Sequence, residues 1–173
     1  METITEIIYG SGNVVDRLVR LMGNAQLTVD VCVDHKMPSL VLGTRRLKDA
    51  LIDARRRHVR IRYVTEITKD NLDYCKELLL EVDELRHLDG IKGNLYISEQ
   101  EYSTPYTLHE GKESSDIMIY SNVKEIREHQ QCIFDGFWNA SNSAERKITE
   151  IQSDISLGIS EIIDSPSRTK EYL

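Results

Sequence analysis

Two β-branched runs, residues 26–34 (QLTVDVCVD) and 59–64 (VRIRYV), stand on either side of a stretch with helical period, and no other feature limits the possible folds as tightly. In the first run Leu27, Val29, Val31 and Val33 alternate with polar residues, the period of a strand. In the second, Val59, Ile61 and Tyr63 share one face, with Arg60, Arg62 and Val64 on the other. Between them a helix opens at Met37-Pro38-Ser39, and Leu47, Ala50, Leu51 and Ala54 make one apolar stripe.

The same alternation extends outward. Residues 4–9 read as an opening strand that turns at Gly10-Ser11-Gly12. A helix follows, with Val14, Leu18, Leu21 and Met22 at helical spacing and a stop at Gly23-Asn24. Residues 68–88, carrying Leu72, Cys75, Leu79, Val82 and Leu85, read as a long third helix closed by Asp89-Gly90. Short strands are expected at 95–98 and 117–120, around a stretch (99–116) with no clear period, and long loops in compact domains are often functional. Asn122 and Glu125 offer a capping box for a helix running to Trp138. The predicted fold is α/β, a mostly parallel sheet flanked by helices on both faces.

Composition narrows the function. The formal charge is −7, from 22 basic and 29 acidic side chains, which argues against general nucleic-acid binding. The one basic cluster, Arg55-Arg56-Arg57-His58, reads as a solvated helix end, where cations complement the dipole. No apolar run approaches the ~18–20 residues of a membrane span, and the acidic start is unlike a secretory signal. Three widely spaced cysteines (Cys32, Cys75 and Cys132) read as buried thiols in a reducing compartment, so a cytoplasmic location is expected.

Composition shifts at residues 139–143, which divides the chain into a domain at 1–140, a signalling or linker helix at 141–165 and the start of a following module at 166–173. Asn142 and Glu145 offer a second capping box. Beyond it Ile148, Ile151, Ile155 and Ile162 fall at spacings of three, four and seven. That pattern fits one seam of an extended, coiled-coil-like C-terminal helix, and equally a helix packed back on its own sheet; both readings stay open.

Residues 26–138 resemble one half of the phospholipase D-like superfamily. The resemblance rests on the strand QLTVDVCV and the helix-to-strand phrase LKDALIDARRRHVRIRYV. His109, Lys112 and Asp116, Ser121-Asn122, and FDGFW at 134–138 are its further counterparts. More narrowly, VTEITKDNLDYCKELL, ELRHLDGIKGN and SNVKEIREHQQ resemble the N-terminal sensory region of archaeal signal-transduction histidine kinases. That resemblance implies an input role ahead of a kinase module. The superfamily's catalytic pattern is His-x-Lys-x-x-x-x-Asp, in which His attacks phosphorus and Lys neutralises the phosphate oxygens. Here the spacing is His109-x-x-Lys112-x-x-x-Asp116, so Lys112 is one position late. In an extended segment the two side chains then face opposite ways, unless a bulge near Gly111 realigns them. The superfamily site also needs two copies of the motif, and this sequence holds one.

The expectation is therefore a degenerate motif (His109, Lys112, Asp116) and a non-catalytic, ligand-sensing domain. In open α/β sheets ligands settle beyond the carboxyl ends of the strands. Asp34, His35 and Glu66 follow two such ends; the resemblance adds His109 and Lys112, making a five-residue ligand-binding cluster. His35 and His109 stand beside carboxylates and suit ligand contact or a pH response, with solvated loop histidines as the plain alternative. Tyr96, Tyr102 and Tyr106 suit a lid or edge packing, and Arg86-His87 reads as a cap on the third helix. No cofactor and no metal site is expected. The expected partners are a small-molecule or protein signal, a downstream kinase module and a second copy of the chain, with neither nucleic acid nor membrane. A phosphodiesterase or nuclease acting as a dimer, and the effector domain of a transcription regulator, are the alternatives.

Overall fold

A computed structural model describes residues 2–106 and 115–163, with side chains to residue 157. The chain opens with β1 (Thr5–Tyr9), α1 (Ser11–Asn24), β2 (Thr28–Val33), α2 (Met37–Gly43), α3 (Arg45–Arg56) and β3 (Arg60–Thr65). It continues through α4 (Leu72–Glu81), β4 (Glu84–His87), β5 (Leu95–Ser98), β6 (Tyr102–Tyr106) and β7 (Ile117–Ser121). It closes with α5 (Lys124–Ala140), β8 (Asn142–Ser143) and α6 (Ala144–Ile163). The strands form one sheet in the order β1-β7-β6-β5-β2-β3-β4-β8.

The sheet is mixed, which corrects the expectation of a mostly parallel one. Only β2–β3 and β3–β4 pair in parallel among the described strands; the other pairings are antiparallel. The cause lies in the connections. Between β4 and β6 the strands succeed one another through short links without a crossover helix, and β5 returns antiparallel to β2 and β6 antiparallel to β5.

Three elements differ from their sequence reading for local reasons. The expected third helix to residue 88 stops at Glu81, and Glu84–His87 becomes a strand beside β3. Asp83 helps to set that register, since its Oδ2 accepts from the Ile61 N–H at 2.7 Å. The helix opening at Met37 breaks at Thr44, whose extended backbone (φ −94°, ψ 102°) ends α2 and starts α3. The aperiodic stretch contains β6, which pairs with β5 and β7.

The capping boxes also shift. Val123, not Asn122, stands at the N-cap of α5, because Asn122 Oδ1 accepts from the Ile4 N–H (2.7 Å) and so braces the N-terminal segment. Before α6 it is Ser143 Oγ that accepts from the Arg146 N–H, at 3.2 Å.

Two cores form, one on each face of the sheet. On one face the buried sides of α1, α2, α3, α4 and the first turns of α6 pack on Val29, Val31, Val33, Ile61 and Tyr63. On the other, α5 lays Phe134 and Trp138 against Cys32, Val64, Leu95 and Ile97. Because β2 is covered on both faces, the polar half of its alternation cannot be solvated. Asp30, 2% exposed, lies opposite Arg62 in the β2–β3 register and takes a two-pronged contact from it, at 2.7 and 2.5 Å. Gln131 on α5 adds a third hydrogen bond, at 2.8 Å. The Arg62 guanidinium in turn stacks on Phe134 and Trp138.

Cys32 and Cys75 are buried as expected, and burial pushes both thiols up to about 12; Cys132 is exposed on α5, where the helix turns it to solvent. The basic cluster is partly structural. Arg57 ties α3 to the end of α1 through the carbonyls of Met22 and Ala25, both at 2.7 Å, while Arg55 and Arg56 are exposed on the last turn.

The first turns of α6 pack back on the sheet instead of extending free. Ala144, Ile148 and Ile151 join the core, whereas Ile155 and Leu157 are 37% and 66% exposed. Ile162 lies beyond the described side chains.

Candidate functional site

The strand register brings one end of every strand to a common rim of the sheet. Val33 lies opposite Thr65, Thr65 opposite His87, and His87 opposite Asn142, so β2, β3 and β4 end there and β8 begins there. Leu95 starts β5 at the same level, opposite Cys32. Tyr9, Ile117 and Tyr106 form the matching row across β1, β7 and β6.

The sequence-nominated residues divide on this rim. Asp34, His35 and Glu66 stand together on it, directly after β2 and β3. His109 and Lys112 lie outside the described residues; Tyr106 and Ser115, which flank their segment, stand on the same rim. Asp116 is buried, and its backbone holds the rim closed. Its N–H donates to Tyr106 O at 3.0 Å, and its carbonyl accepts from Gly10 N–H at 2.8 Å. Gly10 sits at φ 92°, a conformation that suits glycine and lets β1 turn straight into α1. Ser121 and Asn122 lie at the opposite end of β7, away from the rim.

Sequence reasoning missed the residues that shape the rim. Asn71 Nδ2 donates to His35 O (2.8 Å) and Glu66 O (2.9 Å), while its Oδ1 accepts from Thr68 N–H (2.8 Å). Asn94 joins β2 to β6, accepting from Asp34 N–H and donating to Pro105 O. Thr65 Oγ1 donates to Asp34 O at 3.1 Å. These side chains occupy the backbone groups that strand ends leave open. His35 and Glu66 enter this network through their carbonyls, and among the described residues their side chains form no hydrogen bond or ion pair. Asparagine marks loops too often for its presence alone to have singled out Asn71 or Asn94.

His87 is the other omission. It is not a helix cap but the last residue of β4, 4% exposed, with Nδ1 accepting from Ile67 N–H at 3.0 Å. Arg86 likewise belongs to β4 and stacks over the Trp138 ring at 4.2 Å. Of the three tyrosines, Tyr96 is fully buried, Tyr102 is buried with its hydroxyl accepting from Thr104, and Tyr106 is partly exposed at the rim. The first two belong to the cores on either face of interior strands, not to an edge. Among the described residues no group of three His, Cys, Asp or Glu is placed to hold a metal ion. No helix among them is long and apolar enough to cross a membrane.

Burial holds the His87 imidazole below its ordinary pKa, and Lys147 pushes the same way, against the smaller opposing pull of Asp89 and Glu66. Above the unfolded value of about 6.5 both states are neutral and the group is indifferent to pH. As pH falls through 6.5 the unfolded chain takes the proton first, so stability declines until the lower folded value is passed. Urea midpoints at pH 7.5, 6.5 and 5.5 should fall more steeply for the native chain than for His87→Asn, whose amide oxygen keeps an acceptor for Ile67 N–H. Equal slopes would show that His87 does not contribute.

Solved structures that share this architecture include three with TM-scores above 0.6. TrmBL2, an archaeal chromatin protein whose structure shows a novel mode of DNA binding, aligns with TM-score 0.64 at 16% identity, over 83% of this chain and 55% of that one. Nuc from Salmonella typhimurium, a phospholipase D family member, aligns with TM-score 0.64 at 14% identity, over 82% and 97%. NucT from Helicobacter pylori aligns with TM-score 0.63 at 8% identity, over 82% and 99%. At such identities the likeness establishes the fold, which is phospholipase D-like. No family model matches the chain, and no curated protein matches it in sequence.

Proposed function

We propose that this chain is the ligand-sensing input domain of a signal-transduction histidine kinase and performs no phosphodiester chemistry itself. One observation supports the reading: α6, whose outer half is exposed, starts from the rim. His87 pairs with Asn142, so β8 is stitched to the end of β4, and α6 starts two residues later. A ligand held by Asp34, His35 and Glu66, with His109 and Lys112 on the neighbouring segment, would press on the β3–β4 ends to which the departing helix is tied. A bound ligand shifts a two-state equilibrium only by its differential affinity for the two states. This attachment supplies a route for that difference to reach α6. The exposed Ile155 and Leu157 side chains suit a second copy of the chain, which would place two such helices side by side. The displaced Lys112 supports the absence of catalysis.

The rival reading, a dimeric phosphodiesterase, draws on the likeness to Nuc and NucT and on a His109 segment whose flanks stand on the rim. Bis(p-nitrophenyl) phosphate separates the two. The sensor reading expects no turnover above buffer by the whole chain, and melting temperatures raised by one class in a panel of nucleotides, phosphoesters and small organic acids. Turnover that disappears in His109→Ala would establish the phosphodiesterase instead.

A further inference from the structure

A second cleft, of about 230 Å³, lies on the seam between the turn after β4 and the first turns of α6. Its floor is His87 and its walls carry Asp89, Asn142, Arg146, Lys147 and Glu150. The protonation of His87 can be deduced. Its Nδ1 accepts from Ile67 N–H, so in the neutral ring the proton sits on Nε2. That Nε2–H is buried and completes no hydrogen bond. Asp89 Oδ1 stands 3.1 Å away, on a side chain 80% exposed that water can draw off, so it is a weak and movable acceptor for a buried donor. A buried donor without a firm acceptor is costly, and so calls for an explanation.

The surrounding charges point to the missing partner. Lys147 makes no ion pair among the described residues, while the neighbouring Arg146 is joined to Glu150 at 3.1 Å. Both side chains of that pair are mostly solvated, so the pair is weak and an incoming acceptor can share the guanidinium. One buried N–H, one ammonium and one guanidinium thus line a cavity that also holds two carboxylates, the solvated Asp89 beside the imidazole and Glu150 paired with Arg146.

We propose that this cleft binds a small oxyanion, a carboxylate or phosphate group, with His87 Nε2–H, Lys147 and Arg146 as its donors and Asp89 as an internal competitor. The anion bridges β4 to α6 and so fastens the departing helix to the sheet. The site stands on its own geometry and holds whether or not the domain signals.

The test is a nuclear magnetic resonance titration of the whole chain with sodium phosphate and, separately, sodium acetate at fixed ionic strength, following the His87 and 142–147 amides. Saturable shifts with one anion are expected, and the anion that saturates at the lower concentration identifies the group. Lys147→Gln and His87→Asn should each weaken binding about tenfold, the loss of one charge-assisted hydrogen bond. Asp89→Asn should tighten it several-fold, an effect that a damaged fold would not produce. Shifts that grow without saturating whichever anion is added, or equal affinities in the native chain and all three variants, would overturn the site.

Discussion

Asp30→Ala should lower the unfolding free energy by about 3–5 kcal/mol, the largest single-residue effect expected in this chain. The carboxylate is inaccessible, and it satisfies both Arg62 and Gln131. Its removal strands a guanidinium that is 19% exposed between β3 and α5, with the half-exposed Asp135, 3.5 Å away, as the nearest remaining counter-charge among the described residues. The loss is thus mainly the cost of an uncompensated buried charge. Removing both partners should recover much of it, since apolar side chains of similar size fill such a site with little or no penalty. Urea unfolding of Asp30→Ala, Arg62→Met and the double variant measures this. A single-variant loss under about 1 kcal/mol, the scale of a solvated ion pair, would mean that Arg62 rehydrates freely.

Ending the chain after Ala140 should unfold it or nearly so, whereas ending it after Gln152 should leave the domain folded and abolish the pairing proposed for α6. The first cut discards β8 and the buried Ala144, Ile148 and Ile151. Two buried isoleucines alone contribute about 4 kcal/mol, a large part of the roughly 5–15 kcal/mol by which domains are stable. The second cut keeps those contacts and removes the exposed outer half of α6, with Ile155 and Leu157. Circular dichroism melts with light scattering distinguish the outcomes. A chain cut after Gln152 that keeps the mass of the whole chain would show that the outer half of α6 does not pair. Beyond the composition shift at residues 139–143, the first turns of α6 still pack in the same core, which is why the two cuts are expected to differ.

Part of the rim is legible in the sequence and part is not. Asp34, His35 and Glu66 come directly after strands whose apolar alternation is visible in the chain, so their common location is a consequence of the parallel β2–β3 pair. His87 could not be placed that way. Residues 82–87 (VDELRH) fit the end of a helix as well as a strand, and local period does not separate the two.

Residues 1–173 determine unaided the elements whose pattern is internal to a segment: α1 with its Val14-Leu18-Leu21-Met22 stripe, and β2 and β3 with their alternating valines and isoleucines. Tertiary structure alone decided that β4 is a strand, that the polar run YSTPY forms β6 between two neighbours, that Asp30 is buried, and that α6 rests on the sheet. Each of these depends on a partner far along the chain. A strand's hydrogen bonds and a buried carboxylate's counter-charge come from other segments, so no local window contains them.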